Sequence, residues 1–458
     1  MLLKEMFDEF SKKSPPTVMV QATMEFALSE DWINELFEQT AESQYTRALT
    51  FSTMVDLIAP VVCGTHKSVR CAYHKSPTEL AASLTAVYDK LKGIEPEVAA
   101  ELTRQTTRRL ADVIEAMPGG QRAPLLPGYQ VRILDGNCLG ATEHRIFELR
   151  QTAAGPLPGK SLVVLDPQRM LAVDVFPCED GHAQERSLLH NVLATIKARE
   201  LWIADRNFCT NGFLVGIARA CGAFIIRLHQ GLTYEERGPW RQIRSTATGY
   251  AFERAVRIDD GEGGWLELRL VRVNLATATR DGDDELYLLT NLSEAKANAG
   301  KVAELYRKRW LLETAFLHLT KSLRCEINTL GYPKAALFCF CVALLAYNVL
   351  AVTRAALRAA WGEQQGDEQL STYYLVDEIA GTHRGMMIAL PEPVWKRFQQ
   401  TTAAELAKEL VELARNLNLK TYRKATRGPK KPTPPRASSP NKPHVSTKKL
   451  LDARILRD

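Results

Sequence analysis

The sequence predicts an α/β protein: a mixed sheet with helices on both faces, a β-strand insertion, and helical regions before and after. Three observations predict it. Short β-rich runs fill the stretch after residue 128 and then alternate with helical segments. Two of these runs carry an aspartate at or near their ends, Asp135 in YQVRILDGNCL and Asp205 in ELWIADRNF. Downstream, Ala303–Arg324 reads as one helix, because Leu305, Trp310, Leu312, Phe316, Leu319 and Leu323 recur at helical spacing without Gly or Pro.

In chain order, residues 1–120 read as helical. Met19–Leu28, Asp31–Glu42, Thr50–Val62, Glu79–Leu91 and Pro96–Ala116 each show helical periodicity, and Ser76-Pro77-Thr78-Glu79 reads as a helix start. Pro118-Gly119-Gly120 and Pro124–Gly128 mark a linker. Tyr129–Asp135, Arg145–Arg150, Ser161–Asp166 and Leu171–Phe176 read as strands. Helix Glu185–Ala198, strand Leu201–Asp205, helix Asn211–Cys221 and strand Ala223–Leu228 follow. Between about 230 and 292, Tyr250–Ile258, Trp265–Val273 and Glu285–Thr290 alternate apolar and polar residues, with turns at Asp259-Asp260-Gly261 and Asp281-Gly282-Asp283. After the 303–324 helix come an apolar helix, Ala335–Arg358, and an interrupted helical region to about Asn416. These boundaries define an N-terminal helical domain at 1–120, a central domain at 126–365, a helical region at 366–417 and a tail at 418–458.

Composition narrows the class. The 45% apolar and 24% charged content is that of a globular chain. The start, MLLKEMFDEF, has charges throughout and reads as amphipathic, not as a secretory signal. Ala335–Val352 is of marginal length for a membrane span and holds Asn348, so a buried helix is the expectation and no membrane is. Nine cysteines, most in apolar runs, read as reduced thiols of a cytoplasm. Cys63, His66, Cys71 and His74 are compact, but their spacing fits no common zinc pattern; the plainer reading is two unrelated Cys and two polar His. From Lys420 to Asp458 there are twelve Lys or Arg against two Asp, a balance of +10 in a chain of net +6. Charge for a nucleic acid therefore resides in this tail, including Lys430 and Lys431, and in local patches such as Arg104 and Arg108. The Pro- and Lys-rich RGPKKPTPPRASSPNKP is expected to be disordered when free.

The chemistry lies in the 303–324 helix. At 100° per residue, Glu313 falls about 20° from Tyr306 and about 40° from Arg309, so a phenol, a guanidinium and a carboxylate share one stripe. Alone this is an ordinary Arg–Glu surface pair. With two strand-end aspartates, the same glutamate completes a carboxylate set able to hold two Mg²⁺ ions for phosphoryl transfer.

Tyr306-x2-Arg309-x3-Glu313 resembles the YREK signature of bacterial DDE transposases of the insertion-sequence-four family. Leu134-Asp135-Gly136 and Ala204–Phe208 resemble that family's two aspartate motifs. The resemblance implies an RNase H-like catalytic domain interrupted by a β insertion. It implies Asp135, Asp205 and Glu313 as catalytic metal ligands for two Mg²⁺ (or Mn²⁺) per active site, and Tyr306 and Arg309 as phosphate contacts. The reaction implied is cut-and-paste transposition on double-stranded DNA, with terminal inverted repeats and target DNA as partners. A homodimer in a bacterial cytoplasm, associated with the nucleoid, would carry it out. An N-terminal domain that recognises transposon ends, with Arg104 and Arg108 on phosphates, belongs to the same reading. In the insertion, Tyr287, Trp265 and Trp240 are candidates to hold a base flipped out of a DNA hairpin; whether a hairpin forms stays open. One departure is plain: the signature has Lys seven residues after the Glu, where this chain has Thr320, with Lys321 next. Lys321 is expected to reach the same phosphate. Two alternatives are a nuclease on the same fold and a catalytically silent DNA-binding derivative of a transposase.

Overall fold

The helical periodicity before residue 120 forms α1 (Leu2–Lys13), α2 (Pro15–Ala27), α3 (Glu30–Thr40), α4 (Phe51–Val62), α5 (Val69–His74), α6 (Leu84–Gly93) and α7 (Pro96–Glu115). The structure is a computed structural model that describes residues 2–455 except 45, 47, 77–79, 81, 141–145, 151–154, 247–248, 277–281, 328 and 426–443. Local chemistry sets several starts. Thr50, Ser68 and Ser83 each accept a backbone N–H from three residues ahead, and α2 and α7 open on proline. The start expected at Ser76–Glu79 lies largely outside the described residues, and α6 begins after Ser83 instead.

The central region runs β1 (Gln130–Leu139), α8 (Phe147–Arg150), β2 (Gly155–Leu157), β3 (Gly159–Asp166), β4 (Leu171–Cys178), α9 (Leu189–Leu193), β5 (Glu200–Ala204), α10 (Asn211–Arg219) and β6 (Ala223–Arg227). The insertion adds β7 (Glu235–Glu236), β8 (Arg241–Thr246), β9 (Gly249–Asp259), β10 (Trp265–Leu275) and β11 (Glu285–Thr290). Two expectations are corrected here. The strand foreseen at 145–150 is instead the short helix α8, which buries Leu149. The helix foreseen over 185–198 is a 3₁₀ turn, Glu185–Leu188, followed by one short helix.

The strands share one sheet, in the order β4-β3-β1-β5-β6-β11-β10-β9-β7, with β8 also on β9. β3 is antiparallel to β1 and β4, whereas β1, β5 and β6 are mutually parallel. That order and direction is the RNase H-like arrangement. The insertion extends the same sheet, because β11 pairs antiparallel with β6. Alternating residues build two cores. Ile133, Val163, Leu165, Ile203 and Ile225 face one side, and Leu134, Leu162, Val164, Trp202, Ala204, Phe224 and Ile226 face the other with α9 and α10.

The chain continues as α11 (Ala299–Arg307), α12 (Trp310–Lys321), α13 (Pro333–Glu363), α14 (Thr372–Ala389), α15 (Glu392–Trp395) and α16 (Ala403–Arg415), and the described residues close with β12 (His444–Ser446) and α17 (Thr447–Ile455). α13 is long and apolar enough to cross a membrane, but its most apolar window is 94% buried inside the protein. It packs against α7, α4, α2, α6, α16, β3 and β4. Among the described residues, the helices before residue 120 and those after 366 therefore share one core around α13, with no separate core on either side of those boundaries. The Pro- and Lys-rich tract expected to be disordered lies outside the described residues, and the described residues on either side of it are paired. Leu370 and Arg423 form a β-bridge, and β12 pairs parallel with β2. Lys430 and Lys431 lie outside the described residues.

Asn348, inside α13, holds this arrangement to the sheet edge. Its Oδ1 accepts the Ala172 N–H at 2.8 Å, and its Nδ2 donates to the Ala172 carbonyl at 2.9 Å and to Thr107 Oγ1 at 2.8 Å. The amide thus acts as a neighbouring strand for β4. Asn348→Ala should lower unfolding stability by about 2–3 kcal/mol in urea titration, since it strands a buried N–H and carbonyl. A loss under about 0.5 kcal/mol would show that water replaces the amide there.

Candidate active site

β1 and β5 are parallel neighbours in the register Leu134↔Ala204. One step further, Asp135 and Asp205 stand side by side, a strand spacing of about 4.8 Å apart. Both follow residues of one face (Ile133, Ile203), the face covered by α11 and α12. Asp135 Oδ1 accepts the N–H of Gly136 at 2.9 Å, and Asp205 Oδ1 accepts that of Arg206 at 2.6 Å.

The expected single helix over 303–324 is two helices. α11 ends at Arg307 and α12 begins at Trp310. Across the junction the N–H groups of Lys308, Arg309, Leu311 and Leu312 each bond a carbonyl three residues back. Such 3₁₀ geometry eclipses side chains at i and i+3, which brings Arg309 over Tyr306. No Gly or Pro marks the break. It falls at the residue whose side chain is tied to β1.

That side chain is the hub. Arg309 Nη1 lies 3.0 Å from Asp135 Oδ2, and Nη2 lies 2.6 Å from Glu313 Oε1. Its Nε–H is buried without an acceptor. Tyr306 is buried beside it, and burial, then the Asp205 carboxylate, push its phenol well above the ordinary value. Asp135 is pushed up to about 6: burial raises it most, Asp205 and Glu313 add to this, and Arg309 and the Gly136 N–H oppose it. Three carboxylates thus sit within repulsive reach of one another, with a guanidinium bonded to two of them. Among the described residues no three His, Cys, Asp or Glu side chains are gathered as a preformed metal cluster. This holds for Cys63, His66, Cys71 and His74 as well, and burial pushes the Cys63 thiol up to about 12.

The other sequence-derived residues are distributed as follows. Lys321 ends α12 and is exposed, while the neighbouring Thr320 hydroxyl bonds back to the carbonyls of Phe316 and Leu317. Arg104 is no free phosphate contact: its guanidinium bonds Asp174 at 2.6 Å, Glu97 and the Val175 carbonyl, over the Phe176 ring. Arg108 remains exposed. Trp265 lies six residues along β10 from Val271, which faces Leu288 and through it Arg227 at the level of the aspartates. That is about 20 Å from the site along the strand, where Trp265 stacks under Arg257. Tyr287 is at the correct level, but its ring packs with Trp240 in the opposite core and its hydroxyl donates to Glu285 at 2.7 Å. Neither aromatic reaches Asp135.

Two residues near the site went unread in the sequence. Trp310, counted there as an apolar helix position, is 56% exposed next to Arg309. Glu185 opens the 3₁₀ turn and lies against Gly136, where an added Cβ would collide with Glu185 Oε1. The missing side chain at Gly136 lets this fourth carboxylate approach.

Residues 126–349 match the family model described as Transposase DDE domain. This stretch is similar to the DDE domain of transposases. The match takes in all three carboxylates, Tyr306, Arg309 and the whole insertion, and it ends inside α13. No curated protein matches the chain in sequence. A cryo-EM structure of a piggyBac transposase synaptic complex with hairpin DNA aligns over 86% of this chain and 85% of its own, at 12% identity and a TM-score of 0.40.

The raised Asp135 gives the protein's stability a dependence on pH. Asp135 ionises near 3.8 in the unfolded chain and at about 6 in the fold. Folding therefore takes up a proton between those values, so stability falls as pH rises from about 4 through about 6 and stays lower above. In thermal melts without divalent ions, Asp135→Asn should flatten that decline. An unchanged slope would assign it to other groups.

Proposed function

We propose that the protein is a cut-and-paste DNA transposase of the bacterial insertion-sequence-four kind. The observation that carries this reading is the meeting of Asp135 and Asp205, from adjacent parallel strands, with Glu313 from α12 around Arg309. The substrate is double-stranded DNA bearing the terminal inverted repeats of an insertion sequence, and later target DNA. The protein works as a homodimer bridging two ends, in the bacterial cytoplasm.

The donor set fits divalent cations. Three carboxylates supply the hard oxygens that Mg²⁺ or Mn²⁺ prefers, and their mutual repulsion, felt in the raised Asp135, is what a dication relieves. Asp135, Asp205 and Glu313 would hold two such ions, which supply a nucleophilic water or 3′-OH and stabilise the leaving oxygen. The chain's own residues do the positioning. Arg309 has a planar fork suited to a phosphate and one unsatisfied N–H ready for it. Tyr306, kept protonated, can donate to a neighbouring phosphate oxygen. The exposed Trp310 offers a stacking face for a base beside the cleaved strand. Lys321, at the helix end, adds a mobile charge for the backbone.

Arg309 also acts as the internal counter-ion of the carboxylates. In DNA-free protein, Arg309→Gln should bind Mn²⁺ more tightly than the parent by electron paramagnetic resonance, while cleaving repeat-ended DNA more slowly. Weaker Mn²⁺ binding would mean that the guanidinium organises the ligands and does not compete with the ion.

Asp135→Ala, Asp205→Ala and Glu313→Ala should each abolish strand cleavage and joining while leaving gel-shift binding of the ends largely intact. Cleavage without joining by the parent would favour a nuclease. Binding without cleavage by the parent would favour a silent derivative.

A further inference from the structure

A cavity of about 20 Å³ lies at the C-terminal turn of α12, apart from the three carboxylates. It is lined by His318 and Ser322 of α12, by Tyr347, Arg354 and Arg358 of α13, and by Thr372 of α14. Ser322 stands nine residues after Glu313, about 14 Å along the helix. The volume admits one water-sized particle. Tyr347, Arg354 and Arg358 share one stripe of α13, since steps of seven and eleven residues return within about 20° of the same direction.

Charge around this cavity does not balance. Arg122, Arg354 and Arg358 converge on a single buried carboxylate, Asp367. Arg122 Nη2 lies 2.6 Å from its Oδ2, Arg358 Nη2 lies 3.3 Å from the same oxygen, and Arg354 bonds its Oδ1. Burial works to raise Asp367, yet the three guanidiniums together hold it below its ordinary value, so it is ionised. One negative charge thus faces three positive ones. Nothing nearby redresses this. Glu363 and Glu368 are exposed, and Lys424 adds a further ammonium, bonded to the Glu368 carbonyl. Burial, then Arg354 and Lys424, push His318 down to about 4, so its imidazole is neutral. Water reaches 20% of the Arg122 and Arg354 side chains but only 3% of Arg358, whose Nε–H is buried without an acceptor.

Three hydroxyls line the same space with protons to give. Tyr347 is only 7% exposed, and no hydrogen bond with a described residue engages its hydroxyl. Burial raises the phenol to about 12, and the charged groups that act on it are Arg354, Arg122 and Asp367, so its hydroxyl end lies at the cavity. The Ser322 hydroxyl likewise has no partner among the described residues. Thr372 Oγ1 accepts Arg354 Nη1 at 3.3 Å and keeps its own O–H to donate.

A water molecule would answer these hydroxyls but not the charge. A phosphate or a carboxylate would not fit the volume. We propose that the cavity binds one chloride ion, held by the Tyr347, Ser322 and Thr372 hydroxyls in the field of Arg354 and Arg358. The filled site ties the end of α12 to α13 and α14. It does not depend on the reaction assigned to Asp135, Asp205 and Glu313.

The test uses the full chain without DNA or divalent ions near neutral pH, in sodium chloride or in sodium gluconate of equal ionic strength. Chloride should raise the melting temperature by about 2 °C over gluconate once it exceeds its dissociation constant about tenfold. The NMR line of chloride should broaden in the presence of the protein. Tyr347→Phe keeps the ring and removes the hydroxyl, and should lose most of both effects. Ala351→Met fills the cavity it lines without touching a charge; once its helical circular dichroism matches the parent's, it should lose them too. Equal melting of the parent in chloride and gluconate would mean that water suffices in the cavity, and overturns the proposal. A parent-like chloride effect in Tyr347→Phe or in folded Ala351→Met overturns it as well.

Discussion

A helix buried on every side from Ala335 to about Arg358 leaves almost no face to water, and the rest of the molecule follows from covering α13. The sheet covers one side with β3 and β4, α7 lies along it, and the first and last helices close the remainder. Elements more than 300 residues apart thereby enter one core. The same helix supports the chemistry, because α12 rests on both α13 and β1. Glu313 and Arg309 are thus set against Asp135 by a platform that cannot shift without exposing hydrocarbon.

The second constraint is electrostatic. Carboxylates from β1, β5 and α12 converge in a partly buried place where repulsion is weakly screened. The fold answers with one guanidinium, bonded to Asp135 and Glu313 and leaving its Nε–H unsatisfied. An ion pair of this kind contributes little net stability, since desolvation offsets most of its attraction. Its worth is positional: the charges are held where a phosphate and a cation can exchange partners with them.

Much of this was legible in the residues. Short β-rich or alternating runs marked β1, β3, β4, β5, β6, β9, β10 and β11, and their alternation with helical segments pointed to a mixed sheet, whereas the short β2, β7 and β8 went unread. Tyr306, Arg309 and Glu313 read as one stripe because three- and four-residue spacings survive a change of helical pitch. For the same reason the break at Lys308 was invisible: a single 3₁₀ turn leaves the apolar spacing intact. Arg104 was misread because its partner Asp174 is 70 residues away, and only the packing of α7 on β4 joins them. Alternation assigned Tyr287 and Trp265 to strands, but not to an end or a face of the sheet; register decides both. Glu185 carried no signal, since its approach depends on the absence of a side chain at Gly136.

The attachment of β12 to β2 ties the last described residues to the central region. Lys424 bonds the Gln369 carbonyl on one side of the tract, and on the other Ser446 donates to Asp180 at 2.5 Å, with Lys449 3.4 Å from the same carboxylate. The described residues on either side of 426–443 are thus both bonded to the folded body. Lys448 and Lys449, carried on α17, are therefore held beside the strands that carry Asp180, where their charges keep fixed places on the surface.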